Sequence, residues 1–233
     1  MAAPLTEAAI GRVRELIISG ELRPGQRLPA EAALSNQLGV SRSGLREAVR
    51  ALATAGVLEV RRGDGTYVTS LTPDLLFTGI ADAVDLMRDE DLMDVMECRR
   101  LVEPQATALA AVRAGEPELA LVAHHLRCME HAEDEETLVA HDEQFHAALA
   151  TASGNAALAA ILRGVSGATV RARVWRALTV ADSRQRTIDE HSAIYQAVRE
   201  HDRDRAHAAA LLHVANVEAW MRTTLRGETP QSR

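Results

Sequence analysis

The chain has 233 residues, 47% of them hydrophobic and 25% charged, which is enough to bury the core of one large or two modest domains. It contains neither an uncharged apolar stretch of about 18 residues nor an apolar leader, so we expect a cytoplasmic protein without a membrane partner. The formal charge of −7 argues against nucleic acid as a partner of the whole chain. However, residues 1–70 carry nine arginines against seven acidic residues, whereas the remainder carries 17 against 26.

The first 70 residues are predicted to form three short helices and a β-hairpin. Apolar residues recur at helical spacing in three stretches, and a glycine follows each of them. These predicted helices cover residues 5–19, 30–38 and 41–54. Ser41 is a suitable N-cap for the third helix, because its hydroxyl can accept a hydrogen bond from an unpaired first-turn N–H. After Gly56, apolar and polar residues alternate on both sides of Gly63-Asp64-Gly65, which predicts a hairpin.

The remainder of the chain is predicted to be an antiparallel bundle of six to seven helices. Aromatic residues make up 3% of the chain, so the helices should pack through alanine, leucine and valine. The predicted helices cover residues 74–87, 91–113, 117–132, 135–152, 156–178, 182–200 and 203–226. We expect residues 71–73 to form a linker and residues 227–233 a disordered tail. Cys98 and Cys128 are expected to be free thiols.

Arginines and serines at the start of the third helix have the chemistry of a DNA-reading surface. The major groove admits one helix, and residues near the N-terminus of that helix reach the base edges. Arg42 and Arg46 are four residues apart and therefore share a face, and arginine is the commonest reader of guanine. Ser41 and Ser43 can hold phosphates with the help of the helix N-terminus. The combination predicts DNA binding.

The predicted hairpin carries Arg61 and Arg62 directly before the turn at Gly63. This arrangement suits a wing that reaches an adjacent groove, and it completes a mainly α winged helix-turn-helix. The alternative is a solvated, arginine-bearing helix and hairpin without a partner, which any one of these arginines alone would favour.

A carboxylate and three imidazoles in the second part have the composition of a metal site. Asp142 and His146 are four residues apart on one predicted helix, and His191 and His213 lie on two others. Such a set can converge on one ion inside a bundle, and it suits Zn²⁺, Ni²⁺, Mn²⁺ or Fe²⁺. The alternative is that these histidines bind nothing. The other histidines lie in charged stretches and are expected to be solvated: His124, His125, His131, His141, His201 and His207.

The first part resembles the DNA-binding domain of GntR-family regulators over about residues 5–70. The motifs that carry the resemblance are Leu28-Pro29-Ala30-Glu31, Gly39-Val40-Ser41-Arg42, Arg46-Glu47-Ala48 and Gly63-Asp64-Gly65-Thr66. The resemblance implies that Arg42 and Arg46 read bases. It also implies that Ser41, Ser43 and the wing contact the backbone or the minor groove.

The second part resembles the FadR-type C-terminal ligand-binding (FCD) domain over about residues 74–226. The stretches that carry it are CRRLVEPQATALAA, HDEQFHAALATASGN, DEHSAIYQAV and HDRDRAHAAALLHVANV. The resemblance implies one divalent metal ion per chain, Zn or Ni above others, on Asp142, His146, His191 and His213. It further implies an arginine that pairs with an effector carboxylate. Arg99 is the first candidate and Arg171 and Arg173 are others, whereas the alternative for Arg99 is a structural ion pair with Glu103.

These features together predict a transcription regulator rather than an enzyme. We expect a repressor that binds a pseudo-palindromic double-stranded operator as a homodimer and is switched by a small carboxylate. One alternative is a metal-responsive repressor in which the ion itself is the signal. A remote alternative is an HD-type metallophosphohydrolase, suggested by His141-Asp142. That class needs a further upstream His and a late Asp in a set order, and the sequence shows no phosphate-cradling glycine loop.

Overall fold

The computed structural model describes residues 3–73, 75, 91–166 and 183–225. The chain divides into two units, Met1–Leu76 and Phe77–Arg233. Most of the predicted helix over 74–87, the candidate effector residues Arg171 and Arg173, and the tail over 227–233 lie outside the described residues.

The first unit consists of three helices followed by a two-stranded antiparallel sheet. Its elements are α1 (Ala3–Ile18), α2 (Glu31–Leu38), α3 (Arg42–Thr54), β1 (Leu58–Arg61) and β2 (Gly65–Val68). In the sheet, Leu58 lies opposite Val68 and Arg61 lies opposite Gly65. The predicted fold class is confirmed, because this is a winged helix-turn-helix with a small hairpin wing.

The turn between α2 and α3 is set by two residues at the helix ends. Gly39 adopts a left-handed conformation with φ of 61°, which glycine reaches without a Cβ clash, and its N–H closes the end of α2. Ser41 caps α3, and its Oγ accepts a hydrogen bond from the N–H of Gly44 at 3.1 Å. The N-cap prediction for Ser41 is confirmed.

Leucine and valine side chains from every element close the core of this unit. Each such side chain contributes roughly 1.5–3 kcal/mol when it is fully buried. The buried set comprises Val13, Leu16, Leu22, Leu28, Leu34, Leu38, Leu45, Leu52, Leu58 and Val68.

The segment between α1 and α2 differs from the sequence prediction. Its two prolines and two glycines predict a loop, but part of it pairs with the free edge of β2. The N–H of Leu28 donates to the carbonyl of Thr66 at 2.8 Å, and the N–H of Val68 donates to the carbonyl of Gln26 at 2.9 Å. The pairing satisfies backbone groups that an open strand edge would leave unpaired, and it ties the wing to the helices.

The second unit is helical wherever it is described. Its elements are α4 (Leu92–Arg113), α5 (Glu116–Glu130), α6 (Glu135–Ala152), α7 (described over 156–166), α8 (Ser183–Arg199) and α9 (Arg203–Leu225). The bounds lie within two residues of the predicted ones where both can be compared, and α4 continues through Pro104. Helix α4 packs against α9 and α6, while α5 packs against α6 and α8.

Small aliphatic residues dominate the two hydrophobic clusters of this unit. Phe145 lies in one cluster with leucines, valines and nine alanines, and Met96, Leu162 and Val214 lie in the other. Alanine lets helices approach closely, which explains how a chain with few aromatic residues fills its interior. Cys98 and Cys128 are free thiols, as predicted.

No helix of the described chain is long and apolar enough to cross a membrane.

Candidate functional site

The residues predicted to read DNA are exposed on one side of the first unit. On α3, Leu45 and Ala48 face the core, so the helix presents its opposite side to solvent. The predicted contact residues on that side and on the hairpin are Ser41, Arg42, Ser43, Arg46, Arg61, Arg62 and Gly63. The structure therefore leaves the recognition helix and the wing accessible.

Arg46 is held by a carboxylate from the neighbouring helix. Its Nε lies 2.9 Å from both carboxylate oxygens of Glu31 at the start of α2. The hydrogen bond from Arg46 lowers the pKa of Glu31 below its usual value. Because both side chains are exposed, water screens this pair and it contributes little to stability. The Glu31 contact was not foreseen, although Glu31 belongs to a motif that the sequence analysis singled out.

The two wing arginines differ in their surroundings. Arg61 Nη2 lies 2.9 Å from Glu59 Oε2, and its guanidinium lies 4.3 Å from the centre of the Tyr67 ring. Arg62 is exposed and forms no ion pair within the described chain, while Gly63 makes the turn with φ of 77°. Arg62 is therefore the more available wing cation.

A further arginine, which sequence reasoning missed, lies beside the wing. Arg27 donates to the backbone carbonyl of Asp64 and pairs with its carboxylate at 4.0 Å. A Cβ on Gly65 would lie only 2.5 Å from Arg27 Nε, so the glycine makes room for this contact. No sequence signal indicated it, because the contact depends on the pairing of residues 25–28 with β2.

Asp142, His146, His191 and His213 are brought together from three helices of the second unit. All four are buried, and each offers a ligand atom within 4.8 Å of the others. His191 Nε2 lies 3.0 Å from Asp142 Oδ1 and 3.1 Å from His146 Nε2. Two ligands at right angles around an ion with bonds of about 2.0–2.2 Å are about 3 Å apart, so this spacing fits a metal centre.

The rings of the three histidines are fixed through their Nδ1 atoms. His146 Nδ1 lies 2.6 Å from Glu103 Oε1, His191 Nδ1 lies 2.7 Å from the carbonyl of Thr187, and His213 Nδ1 lies 2.8 Å from Glu190 Oε2. A carboxylate or carbonyl only accepts, so each Nδ1 must donate. A hydrogen bond of this kind, which fixes the ring orientation through the second nitrogen, is typical of metal-ligating histidines.

The electrostatics of the centre suit a bound cation. Burial, followed by the neighbouring His191, lowers the pKa of His213 to about 4, and burial lowers the pKa of His146. Both rings are therefore neutral near pH 7. His213 Nε2 is buried and has no hydrogen-bond partner among the described residues. A buried acceptor without a partner is unfavourable, and a cation beside His213 Nε2 would satisfy it.

The candidate ligands include the Asp142 carboxylate, and two further carboxylates and one guanidinium lie next to the ligands. Arg99 donates to Glu103 Oε2 from Nε at 3.0 Å and from Nη2 at 2.8 Å. Although burial raises the pKa of Glu103, Arg99 and then His146 hold it well below its usual value. The charges of Asp142, Glu103, Glu190 and Arg99 sum to −2 when all four are ionised, which a divalent cation would balance.

The ion pair that the sequence analysis offered as an alternative for Arg99 is thus present in the structure. Arg99 lies behind Glu103, which in turn holds His146, so the arginine belongs to the chain of contacts that supports the centre. The roles of Glu103 and Glu190 toward the rings were missed. Glu190 directly precedes His191 in the sequence, but it acts on His213 of the next helix, which the sequence did not show.

A small cavity of about 120 Å³ opens beside His146. It has room for about four water molecules or a small organic acid. Its lining residues are Glu103, Glu143, Gln144, His146, Ala147, Leu162, Arg163 and Ser166. Arg163 of α7 supplies a cation to this cavity, and no motif in the sequence pointed to it.

The remote HD interpretation is not supported by the contacts of its two residues. Asp142 contacts His191, whereas His141 Nδ1 lies 3.2 Å from His125 Nδ1 on α5. The two side chains of the dipeptide therefore take part in different clusters.

Comparison with known proteins gives concordant matches over both units. Residues 5–68 match the family described as bacterial regulatory proteins, gntR family, and residues 94–216 match the FCD domain. The chain is 35% identical over 209 residues to the HTH-type transcriptional regulator LutR of Bacillus subtilis (strain 168). That alignment covers 87% of this chain and 94% of LutR. It is 32% identical over 226 residues to the putative L-lactate dehydrogenase operon regulatory protein of Escherichia coli (strain K12). That alignment covers 94% of this chain and 86% of the relative.

A solved structure shows the same arrangement of elements. Streptococcus agalactiae GntR aligns with a TM-score of 0.69 and 33% identity, covering 92% of this chain and 99% of that one. Family, relatives and fold agree that this is a regulator and not an enzyme. The chain therefore belongs to the GntR family of DNA-binding bacterial transcription regulators, with an FCD domain as its second part.

Proposed function

We propose that this regulator is a repressor whose affinity for its operator is switched by a small carboxylate bound beside one divalent transition metal ion. The observation that carries the proposal is the buried set of Asp142, His146, His191 and His213, whose ligand atoms all lie within 4.8 Å of one another. A carboxylate and three imidazoles held this close together suit a cation at their centre.

Three imidazoles and one carboxylate suit a borderline ion better than a hard or a soft one. This donor set favours Zn²⁺ or Ni²⁺ and offers no thiolate to select Cu⁺. When bound, the ion would supply a positive charge that attracts an anionic ligand. Fewer than six protein ligands leave room in the coordination sphere for water or for a carboxylate.

The cavity beside His146 supports a small organic acid as the effector. Arg163 brings a guanidinium to its wall, and Gln144 and Ser166 bring hydrogen-bonding groups. An acid that enters a bundle must lose water, which is costly unless cations replace it. One relative is named for the L-lactate dehydrogenase operon, which favours a short hydroxy acid.

The arginines inferred from the sequence stay candidates for effector binding. Arg99 would have to share its guanidinium between Glu103 and the effector. Arg171 and Arg173 complete the candidate set.

Toward DNA, we propose that the exposed end of α3 enters the major groove and the wing contacts the adjacent backbone. Arg42 and Arg46 would read bases, and Ser41 and Ser43 would hold phosphates. On the wing, Arg61, Arg62 and Gly63 would meet the backbone or the minor groove. A homodimer would place two such helices on the half-sites of a pseudo-palindromic operator.

The test compares protein loaded with Zn²⁺ and protein stripped with a chelator, using L-lactate and related hydroxy acids as probes. A probe that binds the native state raises the melting temperature by mass action. We expect the rise only in the loaded protein, together with release of an operator fragment selected from random duplex DNA. Equal responses in loaded and stripped protein would contradict the proposal.

The same experiment distinguishes the carboxylate-switched repressor from the alternative in which the ion itself is the signal. That alternative requires an exchangeable ion whose addition alone changes operator binding. The buried ligands and their supporting hydrogen bonds favour a retained ion instead, which should survive dialysis.

A further inference from the structure

We propose that the helical unit carries a second, solvent-accessible transition-metal site, formed by His124, His125 and Cys128 of α5 with His141 of α6. This site is separate from the buried centre and does not depend on the regulatory role proposed above. The sequence analysis expected these histidines to be merely solvated, but the structure gathers them into one cluster.

The helix pair α5–α6 places the four side chains on one surface. Cys128 follows His124 by four residues and His125 by three, so all three lie on neighbouring positions of one helix side. Helix α6 packs against α5 and brings His141 to the same place. His124 is exposed and the other three are half-buried, so an ion can enter from solvent.

The three surface rings lie further apart than the rings of the buried centre, which is the one set in the described chain whose ligand atoms all lie within 4.8 Å of one another. The ring centres of His124, His125 and His141 are 5.1, 5.5 and 6.3 Å apart. In the buried centre the corresponding separations are 4.6, 4.9 and 5.1 Å. The longest surface separation involves His124, the most exposed ring and therefore the one most free to rotate inward.

Two pairs of candidate ligand atoms already have the separation of neighbouring ligands on a tetrahedral ion. His125 Nδ1 lies 3.2 Å from His141 Nδ1, and Cys128 Sγ lies 3.7 Å from His124 Nε2. With Zn–N bonds of about 2.0–2.1 Å and a Zn–S bond of about 2.3 Å, tetrahedral ligands are about 3.3 Å apart for N and N and about 3.6 Å for N and S. Rotation of His124 would join the two pairs on one ion.

The chemistry of this cluster differs from that of the buried centre. It offers one sulfur and three nitrogens, a set that suits Zn²⁺ and Co²⁺. On binding, the Cys128 thiol would lose its proton to solvent and bind as the thiolate. Within the described part of the chain, these imidazoles form no ion pair with a carboxylate that would fix their rings. The site should therefore bind more weakly than the buried centre and exchange its ion readily.

Sulfur ligation provides a direct test. The full chain, reduced with a non-coordinating phosphine and with its buried centre first loaded with one equivalent of Zn²⁺, is titrated with Co²⁺. The buried set has no sulfur, so a thiolate-to-Co²⁺ charge-transfer band in the near ultraviolet reports the surface cluster alone. We expect a band that saturates, is absent in Cys128→Ser, and needs at least tenfold more Co²⁺ in His125→Ala.

Matched variants decide whether the band belongs to this cluster. Cys98→Ser changes the other cysteine and His131→Ala changes an exposed histidine of the same region, and both should leave the titration unchanged. Circular dichroism confirms that each variant is folded. A titration without a sulfur band, or a band that persists in Cys128→Ser, would overturn the proposal.

Discussion

The two units of this regulator use charged side chains in opposite ways. The winged helix exposes its arginines, and the pair between Arg46 and Glu31 is open to solvent. In the helical unit, the pair between Arg99 and Glu103 is buried, with side chains only 1% and 6% exposed. The same ion-pair chemistry thus lies at the surface in one unit, and in the other it supports the buried His146 through Glu103.

This difference decides what breaking each pair should do. An exposed pair is screened by water, so its loss changes recognition and leaves folding almost untouched. A buried pair has already lost its water, so removing one partner leaves an uncompensated charge. The predictions below test the contrast in order of decreasing effect.

Arg99→Ala should lower the free energy of unfolding by about 3–5 kcal/mol, because it leaves the buried Glu103 carboxylate without its cation. Urea denaturation of metal-loaded protein measures the loss. The double variant Arg99→Met with Glu103→Leu should be more stable than Arg99→Ala, because it removes both charges. A variant that keeps wild-type stability but no longer responds to the effector would instead place Arg99 on the effector.

Glu190→Gln should weaken metal binding about 10- to 100-fold. One carboxylate oxygen of Glu190 fixes the ring of His213, and the other accepts a hydrogen bond from Asn216 Nδ2 at 2.7 Å. A glutamine side chain has only one oxygen, so it cannot accept from both donors in the same way. Competition with a chromophoric chelator measures the affinity. Glu200→Gln, on an exposed carboxylate of the adjoining turn, is the matched control and should bind metal like the wild type. Unchanged affinity in Glu190→Gln would remove this residue from the metal centre.

Arg46→Ala should weaken operator binding about 10- to 100-fold with no loss of melting temperature, because one two-pronged base contact is lost. Fluorescence anisotropy with operator and with scrambled DNA measures the change and its specificity. Arg50→Ala is a useful comparison on the same helix, since Arg50 pairs with Glu47 and lies one turn further from the helix start. Operator binding as tight as wild type would take Arg46 off the reading surface.

Arg62→Ala should have the smallest effect on operator binding, and the effect should not depend on the DNA sequence. If the wing contacts phosphates, the variant should lose affinity for operator and for scrambled DNA alike. The slope of log K against log salt should then fall by about one phosphate contact. A loss confined to the operator would show that Arg62 reads bases instead.

The helices, and the placement of Asp142 and His146 on one helix face, could be predicted because local spacing determines them, whereas the full set with His191 and His213 was implied by the family resemblance. Asp142 and His146 are one helical turn apart, and a helix cannot place them on different sides. The carbonyl of Thr187 lies four residues before His191 on the same helix, so even this contact follows from helix geometry. Features that depend on one element alone were therefore accessible from the sequence.

Contacts between elements were not accessible in the same way. Glu103 reaches His146 from another helix, and Arg163 enters the cavity wall only because of how α7 packs. The pairing of residues 25–28 with β2 was missed because glycine and proline signal a turn, whereas the free strand edge that recruits them is a tertiary feature. The surface cluster around Cys128 was missed for the same reason.

The metal content of the dialysed protein, measured by elemental analysis on wild type, His146→Ala and His131→Ala, tests the proposed metal centre most directly. We expect about one Zn or Ni per chain in wild type and in His131→Ala. In His146→Ala we expect almost none, with a lower melting temperature, because metal-binding energy is also folding energy. Wild-type protein that is prepared without chelator, contains no metal and takes up neither Zn²⁺ nor Ni²⁺ would show that the four buried residues do not form a metal centre.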